Sequence, residues 1–276
     1  MSVLVKALAS PKGRWRTVAT NLAGAALVLF TLSFLPPDSS LADVQKSGIL
    51  RVCLPDSLPP LVTKDPSQPG YDVELLQQVA ADLGVRLLIN TRPSIGADFN
   101  PRNWGITRAQ CQIIAGGVVS SESTTGFLQL LETGVLTGWA QLQLDDKLSQ
   151  QVPTVGIFPG TAALDRLALT RYLRSEKLQV LPVSSEKELY AGLQSGQFGV
   201  AIADRLTLSS FPSAKARISW VSESDLGIYK LAFGFWKGDS TLFQAVKKSL
   251  LSLSHKGLQP RLATRYKLPV AASDDP

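Results

Sequence analysis

What the chain has little of narrows it first. One His and two Cys exclude most zinc-site patterns, which need about four such ligands at set spacings. No Ser-His-Asp set can be assembled around His255. No catalytic residue, metal or cofactor is therefore expected. The N-terminal segment has no Arg-Arg pair, against a twin-arginine signal, and no Cys near residue 42, against lipidation. Its apolar run over 22–35 is fourteen residues, short of the roughly 20 that a spanning helix needs. A surplus of 28 bases over 22 acids gives +6, yet no basic stripe interleaved with aromatics exists, so nucleic acid is excluded as a partner. With 276 residues, 45% of them hydrophobic, the chain is long enough for about two domains whose cores need no metal or disulfide to fold.

What is present begins with Lys6, Lys12, Arg14 and Arg16, which stand before any acid and are followed by the apolar run and by Pro36 and Pro37. Ser40 and Ala42 occupy the minus-three and minus-one places of a cleavage site before Asp43, so residues 1–42 read as a signal peptide. The alternative is a retained anchor over residues 18–35, which include Thr20 and Asn21. Cutting after Ala42 leaves 24 bases against 21 acids, a net +3, and the excess basicity largely disappears. Lys247, Lys248, Lys256, Arg261, Arg265 and Lys267 read as solvated helix faces, and His255 suits a helix C-terminus. An exported chain meets an oxidising compartment. Cys53 and Cys111 are then either a disulfide, which requires their strands to be neighbours within about 7 Å between Cα atoms, or two buried thiols.

Beyond residue 42 strands alternate with helices, which predicts α/β. A strand over 49–54 leads into a Pro-rich loop, and a helix follows Gly70 with Val73, Leu76, Val79, Ala80 and Leu83 at helical spacing, ended by Gly84. A strand over 85–89, a short irregular helix over 103–108 and a strand over 111–119 come next. Then comes a small polar run that includes Ser120, Ser121, Ser123, Thr124, Thr125 and Gly126, either a connector or a ligand surface. A second α/β unit opens with strands over 139–144 and 155–158 and a helix over 162–174 with Thr161 as N-cap. Further on, a strand is expected over 178–183, a capping box at Ser185 and Glu188, a strand over 198–203 delivering Asp204, a strand over 229–236, and a long helix behind Asp239 closed by Gly257.

Several fragments, in this order, resemble the family 3 extracellular solute-binding proteins of ABC transporters. They are Gly48-Ile49-Leu50-Arg51-Val52 with Pro59-Pro60, Gly70-Tyr71-Asp72-Val73-Glu74-Leu75 through Leu83-Gly84-Val85, and Ile113 to Val119. Val155-Gly156 with Gly160-Thr161, Leu193-Gln194-Ser195-Gly196 through Ala203-Asp204, and Phe235-Trp236-Lys237-Gly238-Asp239 complete the set. The resemblance implies a two-lobed periplasmic-binding-protein fold of type II, each lobe a mixed sheet flanked by helices, with two hinge crossovers and closure on a solute. Residues 43–138 would form the first part of lobe 1, 139–230 lobe 2, and 231–276 the return to lobe 1. It further implies a periplasmic or secreted monomer that binds a small polar solute, with an inner-membrane ABC permease or another envelope protein as partner.

In open α/β sheets ligands bind beyond the carboxyl ends of strands, and Asp56, Gly117, Thr161 and Asp204 each fall just after one. The expected ligand surface is Asp56 and Ser57, Tyr71 as an aromatic edge, Gly117, Val119, Ser120 and Ser123, and from lobe 2 Thr161, Ala162 and Asp204. The helix near Thr161 would offer free N–H groups as a substitute anion site. Trp139 would sit at the first crossover. Family members that bind amino acids usually carry an Arg after the glycine-ended strand to hold the α-carboxylate. Here no base occurs over 109–146, and the matching stretch is 120–127. Asp204, at the family's ammonium-binding position, favours a cation or a polyhydroxyl donor, or else caps a helix. Gln112 and Gly199 replace family Asp residues at what read as structural positions. The competing function is a dehydratase on the same fold, with Glu122 or Asp204 as general acid if burial raises its pKa.

Overall fold

The computed structural model describes residues 11–33, 38–144, 154–160, 164–211 and 216–270. Two compact units divide the chain, 1–38 and 39–276. In the first, α1 (Pro11–Ser33) is a single helix whose Trp15, Leu22, Leu27 and Phe30 are exposed. Among the described residues no helix is long and apolar enough to cross a membrane.

The second unit begins with α2 (Ser40–Ser47), ended by Gly48 in the left-handed conformation. Its N-terminus meets that of α9 (Ser240–His255), and each helix caps the other. The Leu41 N–H donates to Thr241 Oγ1 at 3.2 Å, and the Leu242 N–H donates to Ser40 Oγ at 3.3 Å. Neither Ser39 nor Asp239 makes a side-chain cap of its own, so these exchanged bonds satisfy donors that would otherwise be orphaned. Val44 is fully buried and Leu41 packs against the same core. The expected cleavage after Ala42 thus falls inside the first turn of α2. A chain starting at Asp43 should be less stable than one starting at Ser39 by about 1–3 kcal/mol, a Tm lower by several degrees. Equal melting temperatures for the two would remove any role for residues 39–42.

Alternating strands and helices form one curled mixed sheet. Along the chain come β1 (Ile49–Leu54), α3 (Tyr71–Asp82), β2 (Arg86–Thr91), β3 (Ile113–Ile114), α4 (Glu122–Phe127) and β4 (Leu128–Leu144). The second half brings β5 (Thr154–Ile157), α5 (Arg166–Ser175), β6 (Gln179–Pro182), α6 (Glu186–Gln194), β7 (Val200–Asp204), α7 (Arg205–Ser209) and β8 (Ala216–Trp220). Then α8 (Glu223–Leu226), β9 (Ile228–Trp236), α9 and α10 (Leu258–Arg265) close the chain. The strand order is β2-β1-β3-β9-β4-β7-β5-β6, with β8 on β4. β1 lies parallel between β2 and β3, whereas β9 runs antiparallel to β3 and β4.

Two strands carry the chain between lobes. β4 pairs with β9 through its first part, shifts register between Glu132 and Leu136, and then pairs with β7 and β8. These two crossovers join a core built on Leu50, Val52, Leu76, Phe233 and Val246 to one built on Leu142, Leu189, Phe198 and Ala201. Gly156 and Gly192 let the Phe198 ring sit between them: a Cβ on either would lie 2.4 Å from it.

Several elements differ from the sequence pattern. The strand expected over 111–119 is a ladder only at Ile113–Ile114, because Gly116 and Gly117 turn to φ of 77° and 96° and lead the chain out of it, and Val119 returns as a single bridge to Leu231. The strand expected over 139–144 starts at Leu128. The irregular helix expected over 103–108 is a short 3₁₀ turn, Pro101–Trp104. The helix expected to start after Thr161 starts at Arg166, since the Asp165 carboxylate accepts from the N–H groups of Leu167 and Ala168, both at 2.9 Å. The capping box at α6 forms, with the Glu188 N–H donating to Ser185 Oγ and the Ser184 N–H to Glu188 Oε2. Cys53 and Cys111 are joined as a disulfide with Cα atoms 5.5 Å apart, brought together by the β1–β3 pairing of Val52 with Ile113.

Candidate functional site

The cleft between the lobes is built from two strand ends, those of β3 and β7, and the middle of β4. β3 ends at the Gly116–Gly117 turn, which the structure holds tightly: a Cβ on Gly116 would lie 2.3 Å from the Pro55 ring, and one on Gly117 2.6 Å from Leu58. The Gly116 N–H donates to the Asp72 carboxylate at 2.9 Å. Asp72 is buried in the first turn of α3, and burial pushes its carboxyl up to about 7 against the pull of that one hydrogen bond. No site role is legible for Asp72 in the sequence, yet it holds the turn that floors the cleft.

β7 ends at Asp204, which is 4% exposed. Thr137, on the facing strand β4, donates its hydroxyl to Asp204 Oδ1 at 2.5 Å. Burial raises the carboxyl to about 6, while the Thr137 hydroxyl, the nearby N–H groups of Leu206 and Arg205 and the Arg205 charge favour the ionised form. Asp204 stands at the N-cap position of α7, with its carboxylate bonded to Thr137 and the first N–H groups of that helix nearby.

Around this pair the cleft is apolar: Leu58, Val119, Leu164, Leu206 and Leu231, with Gly96 and Gly117 as open backbone. Phe99 supplies an aromatic wall, packed edge-to-face on Tyr229 at 5.2 Å between centroids and fixed by the Thr124 hydroxyl, which donates to its carbonyl at 3.2 Å. No Lys or Arg is among the described lining residues. The lobes are pressed together, with Leu206 of α7 packed into the lobe 1 core, and only about 20 Å³ is left inside, room for about one water. Anything larger enters only when the crossovers in β4 and β9 open.

Of the residues expected on the ligand surface, the structure brings together Gly117, Val119 and Asp204 at this cleft. Asp56 and Ser57 are exposed on the first loop, where Asp56 pairs with Lys64 at 2.5 Å in solvent. Tyr71 is not an edge but a core side chain, 1% exposed, its hydroxyl donating to the Thr133 carbonyl at 3.3 Å. Burial, and then the neighbouring Asp72 charge, push its phenol up. Ser120 donates its N–H to the Lys230 carbonyl, and Ser123 is exposed on α4. Ser121 caps that short helix, so the polar run is a connector that also positions Phe99. Thr161 and Ala162 lie outside the described residues. The substitute anion site expected at the following helix is replaced by Asp165, which occupies those N–H groups itself.

Glu122, the other candidate acid, is exposed and away from the cleft. Trp139 is buried in lobe 2, pairs with Asp204 across β4 and β7, and donates its indole N–H to the Asp165 carbonyl. Gln112 is structural, its amide oxygen accepting from the Arg51 N–H at 2.7 Å. His255 ends α9 in solvent. Thr137, Phe99 and Leu206 carry no sequence signal for the cleft, since each reaches it through a packing contact with a distant segment.

No protein-family model and no curated protein matches the chain. Solved structures do match in fold. An ancestral cationic amino acid solute-binding protein superposes with a TM-score of 0.65 at 17% identity, over 83% of this chain and 99% of its own. An ABC uptake transporter substrate-binding protein from Streptococcus pneumoniae with bound histidine gives 0.57 at 13% identity, over 83% and 96%. An ancestral amino acid-binding protein described as a precursor of cyclohexadienyl dehydratase gives 0.54 at 17%, over 82% and 98%. The protein therefore has the two-lobed periplasmic-binding-protein fold of type II.

Proposed function

We propose that the protein is an extracytoplasmic receptor that closes on a small organic cation, an amine with a compact apolar body, and performs no chemistry on it. The observation that carries this is the buried Asp204–Thr137 pair in an apolar cleft without a described base. A carboxylate there is stabilised by a bound ammonium, the Phe99 face adds cation–π attraction, and the surrounding leucines take the carbon. An α-amino acid would bring a carboxylate with no guanidinium to meet it, at a cost of several kcal/mol in a dry site. The neighbours named for cationic amino acids, arginine and histidine support a solute receptor. The reading further assigns lobes 43–138 with 231–276 and 139–230, export to the periplasm or outside, a monomer, and delivery to an ABC-type permease or another envelope protein.

A specific observation favours a second reading, catalysis: the Asp204 carboxyl, raised to about 6, keeps about a tenth of its population protonated at pH 7, a fraction that suits a general acid. One screen tests both. Primary amines and quaternary ammonium ions should raise the melting temperature by several degrees, whereas common α-amino acids at the same concentration should give little response. Strong stabilisation by glutamine would overturn the cation assignment. Conversion of any stabilising ligand to product on prolonged incubation would replace the receptor with an enzyme.

A further inference from the structure

The second lobe holds a wider space than the cleft. Between α5 and the strands β5 and β6 runs a trough of about 530 Å³, within the range of small-molecule sites and far above the 20 Å³ of the cleft. Its floor is Trp139, Ile157, Leu169, Leu173, Val180 and Pro182. β6 ends the sheet, so nothing in the strand order covers its outer side. Leu178 and Val180 there are 38% and 43% exposed, an unusual concentration of apolar surface beside a buried floor.

The rim has one sign of charge. Arg166, Thr170 and Arg174 share one face of α5, spanning about 12 Å at 1.5 Å per residue, and no acidic side chain is among the described residues that line the trough. Arg166 is held by the Gly160 carbonyl at 2.8 Å. Arg174 has no hydrogen bond or ion pair from its guanidinium to any described residue. An apolar floor of this length with a spare planar guanidinium at one end is complementary to a molecule with a carbon body and a carboxylate end.

We propose that this trough is a second ligand site, which takes an amphiphilic carboxylate with its acyl or aryl body on the apolar floor and its head on Arg174. The two sites share no described lining residue. Decanoate, titrated calorimetrically below its micelle concentration into the whole chain, should bind with one-to-one stoichiometry, and decyltrimethylammonium should not. Arg174→Glu should weaken decanoate binding at least about tenfold and Arg174→Lys by no more than about threefold, while Asp204→Asn leaves it unchanged. Arg174 is exposed on its helix, so neither substitution threatens the fold. Absence of decanoate binding, equal binding of the cationic analogue, or wild-type affinity in Arg174→Glu would overturn the proposal. A concentration-dependent dimer abolished by Val180→Glu would assign the trough to a second copy of the chain and overturn it equally.

Discussion

Asp204→Asn should leave the protein folded and abolish stabilisation by an ammonium ligand, with an affinity loss of about 100-fold or more. The amide keeps the shape and can still accept from Thr137, so the hydrogen bond at 2.5 Å has a replacement and the apo protein loses little. What disappears is the charge that faces the ligand. A cation left against a neutral amide in an apolar cleft forfeits its counter-ion, which costs about 3–5 kcal/mol when the partner of a buried pair is removed.

The same carboxylate gives the binding a pH signature. With its pKa raised to about 6 by burial, Asp204 is ionised above that value and protonated below it. A cation binds the ionised form, so affinity should be level above about pH 7 and fall as pH drops through 6, reaching roughly a tenfold loss at pH 5. A quaternary ammonium ligand makes the test clean, because its own charge does not titrate. Calorimetric titration over pH 5 to 8 should show this slope in the native protein and a flat profile in Asp204→Asn. Unchanged binding in the variant would remove Asp204 from the site.

Replacing Cys53 and Cys111 together by Ala is the change with the largest expected effect on stability. The bond closes a loop with a separation of 58 residues, and constraint of the unfolded chain over such a loop is worth about 4 kcal/mol on the chain-entropy estimate. Both side chains are fully buried in a cluster with Ile95, Trp104 and Leu128, so losing two sulfur atoms adds a packing cost. Thermal melts should show a Tm lower by roughly 10 °C or more, and reductant should move the native protein toward the variant. An unchanged midpoint would show that the strand pairing alone holds this corner.

How much of this was legible depends on the range over which each feature is encoded. The helix behind Gly70 could be read because its apolar spacing is local, and α3 buries Val73, Leu76, Val79 and Ala80. The capping box of α6 lies within four residues and could be read for the same reason. β4 could not be read before residue 139: Glu132, Thr133, Gly134 and Thr137 break any alternation, and the strand runs through them only because β9 pairs on both sides of the irregularity between Glu132 and Leu136. The cap of α5 is Asp165 rather than the expected Thr161, because both residue types suit the role and which of them caps depends on where the chain turns after β5. Tyr71 looked like an edge because it follows a loop, yet the helix starts on it and rotates its ring into the core.

The sequence by itself determined the alternation that makes an α/β chain, the order of fragments that gives two lobes, and the stretch over 109–146 without a base. Those are properties of neighbouring residues and of composition, which folding does not alter. Tertiary structure alone decided that Cys53 meets Cys111 and that Asp72 holds the Gly116 turn. It also set Asp204 beside Thr137, 67 residues away in sequence, and left an arginine-rimmed trough open under α5. Burial, and every shifted pKa with it, comes from atoms brought together across such separations, where desolvation outweighs any local preference.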